Sequence, residues 1–283
     1  MKKVNLRKLL PLWLLAVGVS VTSCIEPDTV LGNVDEFTTD ELVTTLDDGT
    51  TMHFCDKHDG TVSVTYDRTN PTHLNISNKS EITTYTGKVK IPASVVIEGV
   101  TYDVNEIDAE AFMNCTTLSE LTIPESVKAI GNGAFVNCKA ITKLVLPIGI
   151  TAIPNVAFGN CTKLATITIP GSVKTIGDNA FFGTKFKTLV IPEGVEEMGR
   201  NVFTRCTSMT ELTLPSTLKT IGGGCLASAS KLTKLHVKAA TPPTLTESLA
   251  ADVAKTVLYV PTGSKAAYEA NALWNEFTNI IEE

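Results

Sequence analysis

The chain has 283 residues, of which 43% are hydrophobic and 6% aromatic, and a formal net charge of −6 at pH 7. Four of its 24 basic residues lie before position 9, so residues 9–283 carry an excess of about ten negative charges, which argues against nucleic acid as a partner. Seven cysteines are enough to invite a disulfide framework, which their positions must decide.

Lys2, Lys3, Arg7 and Lys8 precede an apolar stretch from Leu9 to Val21 that ends in small residues, the pattern of an export signal over 1–23. That stretch is short for a membrane span, and Pro11 sits inside it. Ile25 to about Thr39 is polar and without periodicity, as suits a flexible tether over 24–41 reaching up to about 50 Å when fully extended. From Leu42 the texture changes. Asp48-Gly49, Asp59-Gly60 and Glu98-Gly99 are turn signals between short runs such as Val62–Tyr66 and Val89–Ile91, which predicts a β-hairpin cap over 42–106. Ile91-Pro92 ends its run with proline, so the hairpins are expected to merge into the next unit and cover its first edge.

Between Ile107 and Val237 a block of 22 or 23 residues recurs six times, starting at Ile107, Ile130, Ile153, Ile176, Met198 and Ile221. A period this short means a solenoid. Five positions on stand Phe112, Phe135, Phe158, Phe181, Phe203 and Leu226, a row that must lie in the core. Three further on come Cys115, Cys138, Cys161, Thr184, Cys206 and Ala229. A column that accepts threonine and alanine wants a small buried side chain and not a crosslink, and Cys55 and Cys225 lie far apart in sequence at opposite ends of the coil, so the cysteines other than Cys24 are read as free structural thiols. Each block then runs into a strand with period-two alternation, such as Leu164, Ile167 and Ile169. Pro124, Pro147, Pro170, Pro192 and Pro215 stop the first five, because proline has no N–H for a ladder. Gly131 and Gly133, like Gly222 to Gly224, fall at the turn after the starting residue and answer to backbone geometry instead of phosphate binding.

After Val237, Pro242-Pro243 breaks the pattern, Thr256–Val260 reads as a short strand, and Ser264 is placed to cap a helix carrying Tyr268, Trp274 and Phe277. This closing element spans 238–283, with Trp274 buried against the last coil.

Gly131-Asn132-Gly133-Ala134-Phe135, Gly177-Asp178-Asn179-Ala180-Phe181 and the Asn-Cys pairs at 114–115, 137–138 and 160–161 resemble the BspA-like leucine-rich repeats. Departures are local: Pro154 stands in the glycine column, Thr184 and Ala229 in the cysteine column, and Cys225-Leu226 where Ala-Phe is the pattern. The resemblance, which runs from about Lys88 to the C-terminus, implies a β-rich α/β fold: a right-handed solenoid of about six repeats between a hairpin cap and a strand-helix cap. Val21-Thr22-Ser23-Cys24 resembles the lipobox of bacterial lipoproteins, which makes Cys24 the lipid anchor and the first mature residue. Glu26 and Asp28 resemble the acidic surface-export signal of Bacteroidetes lipoproteins, and Asp28-Thr29-Val30 resembles their O-glycosylation acceptor, with Thr29 as the modified residue. The resemblance therefore implies an exported outer-membrane lipoprotein displayed on the cell surface and held to the membrane by lipid alone.

Function is to be sought on the outward face of the strands. One outward column holds Glu120, Lys143, Thr166, Thr188, Glu211 and Lys234, and the next Thr122, Val145, Thr168, Val190, Thr213 and His236. Six strands about 4.8 Å apart give a flat strip on the order of 25 Å long, the scale of a protein contact and not of a small-molecule pocket. Nothing in the residue spacing supports nucleophilic catalysis, so the chain reads as a non-enzyme with no cofactor and no small-molecule substrate. His53, Cys55 and His58 have metal-like spacing, but polar side chains around a hairpin turn account for them, and no metal is expected. The leading expectation, drawn from the adhesin character of BspA-like proteins, is protein binding or adhesion to a host-surface or extracellular-matrix protein. The alternatives are an accessory subunit contacting a bacterial envelope protein and, last, a glycan-binding accessory protein, since the six blocks put no Trp or Tyr outward for sugars to stack upon.

Overall fold

The computed structural model describes residues 41–66 and 85–283. The signal at 1–23, Cys24, Thr29 and the tether up to residue 40 lie outside the described residues. Six strands open the fold: β1 (Glu41–Thr45), β2 (Thr51–Asp56), β3 (Thr61–Thr65), β4 (Gly87–Lys90), β5 (Ser94–Ile97) and β6 (Val100–Ile107). The three turn signals sit where the sequence places them, with β1–β2, β2–β3 and β5–β6 paired antiparallel around them. Glu98 and Gly99 both have positive φ, 53° and 82°, as a tight two-residue hairpin turn requires.

From here each turn of the coil contributes one longer and one two-residue strand: β7 (Leu118–Thr122) and β8 (Ala129–Ile130), β9 (Lys143–Val145) and β10 (Ala152–Ile153), β11 (Thr166–Thr168) and β12 (Thr175–Ile176), β13 (Thr188–Val190) and β14 (Glu197–Met198), β15 (Glu211–Leu214) and β16 (Thr220–Ile221), β17 (Lys234–Val237) and β18 (Thr244–Leu245). The chain closes with β19 (Val257–Val260), α1 (Lys265–Glu269), a 3-10 turn (Trp274–Glu276) and β20 (Ile280–Glu282). Parallel pairing runs along two sides of the coil. On one side β3–β6–β8 lead into the two-residue strands β10–β12–β14–β16–β18, and on the other the longer strands pair as β4–β7, β9–β11 and β13–β15–β17–β19–β20. The prolines end the long strands by turning the chain: the carbonyl of Pro124 accepts the N–H of Val127 at 3.1 Å, and Pro170 does the same for Val173.

The coil makes about eight turns, the six repeats and one more at each end, and almost all of it is strand. Its first added turn comes from the cap, where β3 and β6 put Val64 beside Ile107, and β4 and β7 put Val89 beside Leu121. Its last comes from the closing element, where Leu258 pairs with Leu235 and Ile280 with Leu258. The hairpins thus join the short-strand ladder, as expected. The closing helix is shorter than predicted. Ser264 precedes α1, but its hydroxyl donates backwards to the Pro261 carbonyl instead of capping, and only Tyr268 of the three aromatics lies on the helix. Trp274 sits on the 3-10 turn, fully buried, with its indole N–H donating to the Pro243 carbonyl at 2.8 Å.

One continuous core fills the coil. Its spine is the phenylalanine row: successive centroids from Phe112 through Phe135, Phe158 and Phe181 to Phe203 lie 5.2 to 5.8 Å apart, with ring planes within 16° of parallel. Tyr85 heads the row 4.7 Å from Phe112, its hydroxyl donating to the Thr65 carbonyl and accepting the His53 backbone N–H. The block from Ile176 is one residue shorter than its neighbours, and Phe186 packs edge-on against Phe181 where that residue is missing.

Polar ladders tie each turn to the next. Each row phenylalanine N–H donates to a carbonyl one turn on, from Phe135 to Ala157 at 2.9 Å and from Phe158 to Ala180 at 2.8 Å. Along the cysteine column, Cys161 donates its thiol hydrogen back to the Phe135 carbonyl and Cys138 to that of Phe112, both at 3.1 Å. Burial pushes the Cys161 thiol up to about 12 and those of Cys206 and Cys225 up to about 11. A third ladder has no counterpart in the sequence pattern: side-chain oxygens of Asn132, Asn155 and Asp178 accept the backbone N–H of Asn155, Asp178 and Arg200 in turn, at 2.7 to 3.1 Å. Left-handed residues also stand in two columns of the blocks, at Glu110, Gly133, Val156, Asn179, Asn201 and Gly224, and again at Asn114, Asn137, Asn160, Gly183, Arg205 and Ser228. The second set explains the asparagine before Cys115, Cys138 and Cys161, since asparagine tolerates this conformation. Gly177 serves a different need: its backbone passes so close to the turn before that a Cβ would stand 2.6 Å from the Asn155 nitrogen.

Candidate functional site

The two outward columns stand side by side on the long strands. Their register sets Lys143 beside Thr166, Thr188 beside Glu211 and Glu211 beside Lys234, and in the second column Val145 beside Thr168, Val190 beside Thr213 and Thr213 beside His236. Glu120 and Thr122 lie beside Lys88 and Lys90 of β4. Alternation dictates this arrangement. Leu121, Leu144, Ile167, Leu189, Leu212 and Leu235 point inward and are buried, so their neighbours must face out. The face also runs past the six blocks at both ends, from Lys88 on β4 to Tyr259 and Ile281 on β19 and β20. Nine rungs at about 4.8 Å make it on the order of 40 Å long.

The face is mixed in character. Val145 is 50% exposed and Val190 62%, aliphatic side chains left in water between threonines. Near the C-terminal end charges gather: His236 Nδ1 lies 2.8 Å from Glu283 Oε1, its Nε2 lies 3.5 Å from Glu211, and Lys234 pairs with Glu211 at 3.8 Å. The imidazole also stacks on Tyr259, centroids 4.4 Å apart and planes 9° from parallel. Tyr259 thus puts an aromatic ring in a column that the six blocks alone leave without one. Because the rings stack along the coil axis, they turn edges and not faces to solvent, which is poor geometry for a flat sugar.

Other predicted features fall elsewhere. His53 and Cys55 lie on β2 and His58 at the turn after it, where Asp56 Oδ1 accepts its backbone N–H at 2.7 Å. Among the described residues no group of three or more His, Cys, Asp or Glu is placed to hold a metal ion. The reading of all six remaining cysteines as free thiols needs correction: Cys115, Cys138, Cys161, Cys206 and Cys225 keep unbridged thiols, whereas Cys55 is disulfide-bonded. Cys55 sits in an antiparallel hairpin and not in the repeat column, so the packing argument that governs the column does not reach it. Among the described residues no helix is long and apolar enough to cross a membrane.

A coil of short parallel strands, with an aliphatic column on each side and an outward sheet face fixed by its neighbours, defines a leucine-rich-repeat solenoid, a class whose families are in general non-catalytic binding scaffolds. Six copies of the BspA type leucine-rich repeat region match over residues 93–210 and 133–245, more than half of the sequence, and the chain belongs to that family. Among solved structures it is similar to a leucine-rich repeat protein of T. pallidum, at 23% identity over 70% of this chain and 81% of that one, with a TM-score of 0.50. It is also similar to a leucine-rich repeat protein from Bacteroides ovatus, at 20% identity over 88% of this chain and 76% of that one, with a TM-score of 0.47. No curated protein matches it.

Proposed function

We propose that this protein is a non-catalytic, lipid-anchored cell-surface binder whose long-strand face takes a protein partner. The observation that carries the reading is the face itself: a run of outward side chains, aliphatic and polar together, on rungs held rigid by three ladders and a stacked core. Such a surface loses little entropy on contact, which favours recognition of another folded surface. The lipid anchor rests on the sequence around Cys24 and the acidic residues just after it. Lipidation has a chemical consequence at Cys55. Acylation consumes the Cys24 thiol as a thioether, so on this reading the chain has no cysteine left to pair with Cys55, and the anchor and a Cys55 disulfide within the chain are alternatives.

Purified residues 25–283 are expected to bind saturably to at least one extracellular-matrix or host-surface protein, and T166E/T188E to weaken that binding at least about tenfold. Absence of saturable binding across the set refutes adhesion, and a stoichiometric envelope partner in a pull-down instead assigns the face to an assembly role. Labelled fatty acid should enter the wild-type protein and not C24A. Equal incorporation, or an intact mass without acyl chains, removes the anchor.

A further inference from the structure

A second set of residues flanks the face on the turn that leads into the long strands and shares Lys143 with it. In the segments 139–143, 162–166 and 185–188, three consecutive turns carry Lys139, Lys143, Lys163, Lys185 and Lys187 and no acidic residue. All five are exposed, and among the described residues none has an ion pair. Glu120 and Glu211, on the long strands either side of the strip, are already engaged, Glu120 with Lys88 at 2.9 Å and Glu211 with Lys234 and His236. The opposite flank of the strands is unlike it: Lys174 and Lys219 both pair with Glu196 there, and Lys128 donates to the Glu125 carbonyl. In a chain that is acidic overall, five unpaired ammonium groups spread over about 10 Å of coil make a local positive field.

We propose that this lysine strip binds an acidic polysaccharide laid along the coil. Each lysine is solvated and contributes weakly, so useful affinity needs a ligand that offers several anions at once, which excludes a singly charged small molecule. Lysine presents a compact, strongly hydrated charge in place of arginine's planar fork, which suits sulfate or carboxylate groups spaced along a polymer more than one bidentate contact. A linear sugar chain carries such groups once per ring or per pair of rings, a spacing of the order of one or two rungs, about 5 to 10 Å. Single-stranded nucleic acid would want exposed aromatic platforms; Phe135, Phe158, Phe181 and Phe186 are buried, and the half-buried ring of Phe182 is overlain by the Arg205 guanidinium at 5.4 Å. Recognition here is by charge, so it does not need the stacking surface whose absence counts against neutral glycans.

The test is binding of residues 25–283 to heparin and to polygalacturonate in low salt, with polyglutamate and duplex DNA as comparators. Saturable binding to either polysaccharide, weakened at least about tenfold in K139Q/K143Q/K163Q/K185Q/K187Q and unchanged in K128Q/K174Q/K219Q, supports the proposal. Heparin alone would assign sulfate chemistry, and polygalacturonate alone carboxylate chemistry. Three results overturn the proposal: no binding to either polysaccharide, an equal loss in both variants, or binding to polyglutamate or DNA at least as tight. Circular dichroism melting of both variants, expected to match wild type, separates lost contacts from lost fold.

Discussion

Phe158→Ala probes the stacked core at its centre. Phe158 is 1% exposed, with Phe135 at 5.2 Å on one side and Phe181 at 5.5 Å on the other, and its ring plane lies within 8° of both. Truncating a buried phenylalanine costs about 3 to 5 kcal/mol through lost transfer energy and the cavity left behind. Each ring pair adds about 0.5 to 1.5 kcal/mol beyond burial. Two pairs vanish here, which places the cost in the upper half of the range, about 4 to 5 kcal/mol. Phe203 gives an internal comparison, since it has a ring neighbour on one side and Leu226 continues the row on the other. F203A should therefore cost about 1 kcal/mol less than F158A. Urea unfolding followed by circular dichroism measures both. A loss below about 1 kcal/mol for F158A, or a larger loss for F203A, would refute the stacked-core account.

Val156 holds a left-handed φ of 57°, which is unfavourable for a β-branched residue, while its side chain is 37% exposed; V156N should raise stability by about 1 kcal/mol in the same urea titration. Gly177→Ala would press a Cβ to 2.6 Å from the Asn155 nitrogen and 2.8 Å from the Pro154 carbonyl carbon, so it should cost more than about 2 kcal/mol, and a near-neutral result would show that adjacent turns can part freely. The Cys161 thiol makes stability fall in alkali: the unfolded chain releases this proton near its ordinary value of 9.0, whereas burial holds the folded group's proton up to about 12, so stability is full below about pH 9 and lost as pH rises towards 12. Between pH 8 and about pH 10.5 wild type should lose about 2 kcal/mol more than C161S, measured by urea unfolding at each pH, and parallel losses would show that this thiol is not deeply buried.

The repeat columns were legible because their chemistry is uniform: six aliphatic starts, five phenylalanines and five prolines leave little choice of fold. The turns beyond them were hidden by changes of side chain, not of period. Leu258 follows Leu235 by 23 residues and Ile280 follows Leu258 by 22, yet Pro242-Pro243 and the lack of a Phe or Cys at the column positions mask the match. At the other end Tyr85 precedes Phe112 by 27 residues, too far to join the row by counting. The left-handed column at Glu110, Gly133, Val156 and Asn179 has no shared identity, so only backbone geometry reveals it. Of the candidate face, the alternation was readable and its charge pairing was not: the carboxylate of Glu283 reaches His236 across 47 positions of sequence. The lysine strip is hidden in the sequence because only Lys139 and Lys185 share a column, and its members meet only when the coil is wound.

The asparagine and aspartate ladder has an evolutionary corollary. Every link from Asn132 to Arg200 joins residues 22 or 23 apart, so each turn recognises only the one before it and the one after. A gene that gains or drops one whole unit between Ile130 and Met198 would find the same partners waiting at the new junction. Ruler length can then drift in lineages by steps of about 4.8 Å while both end pieces stay as they are.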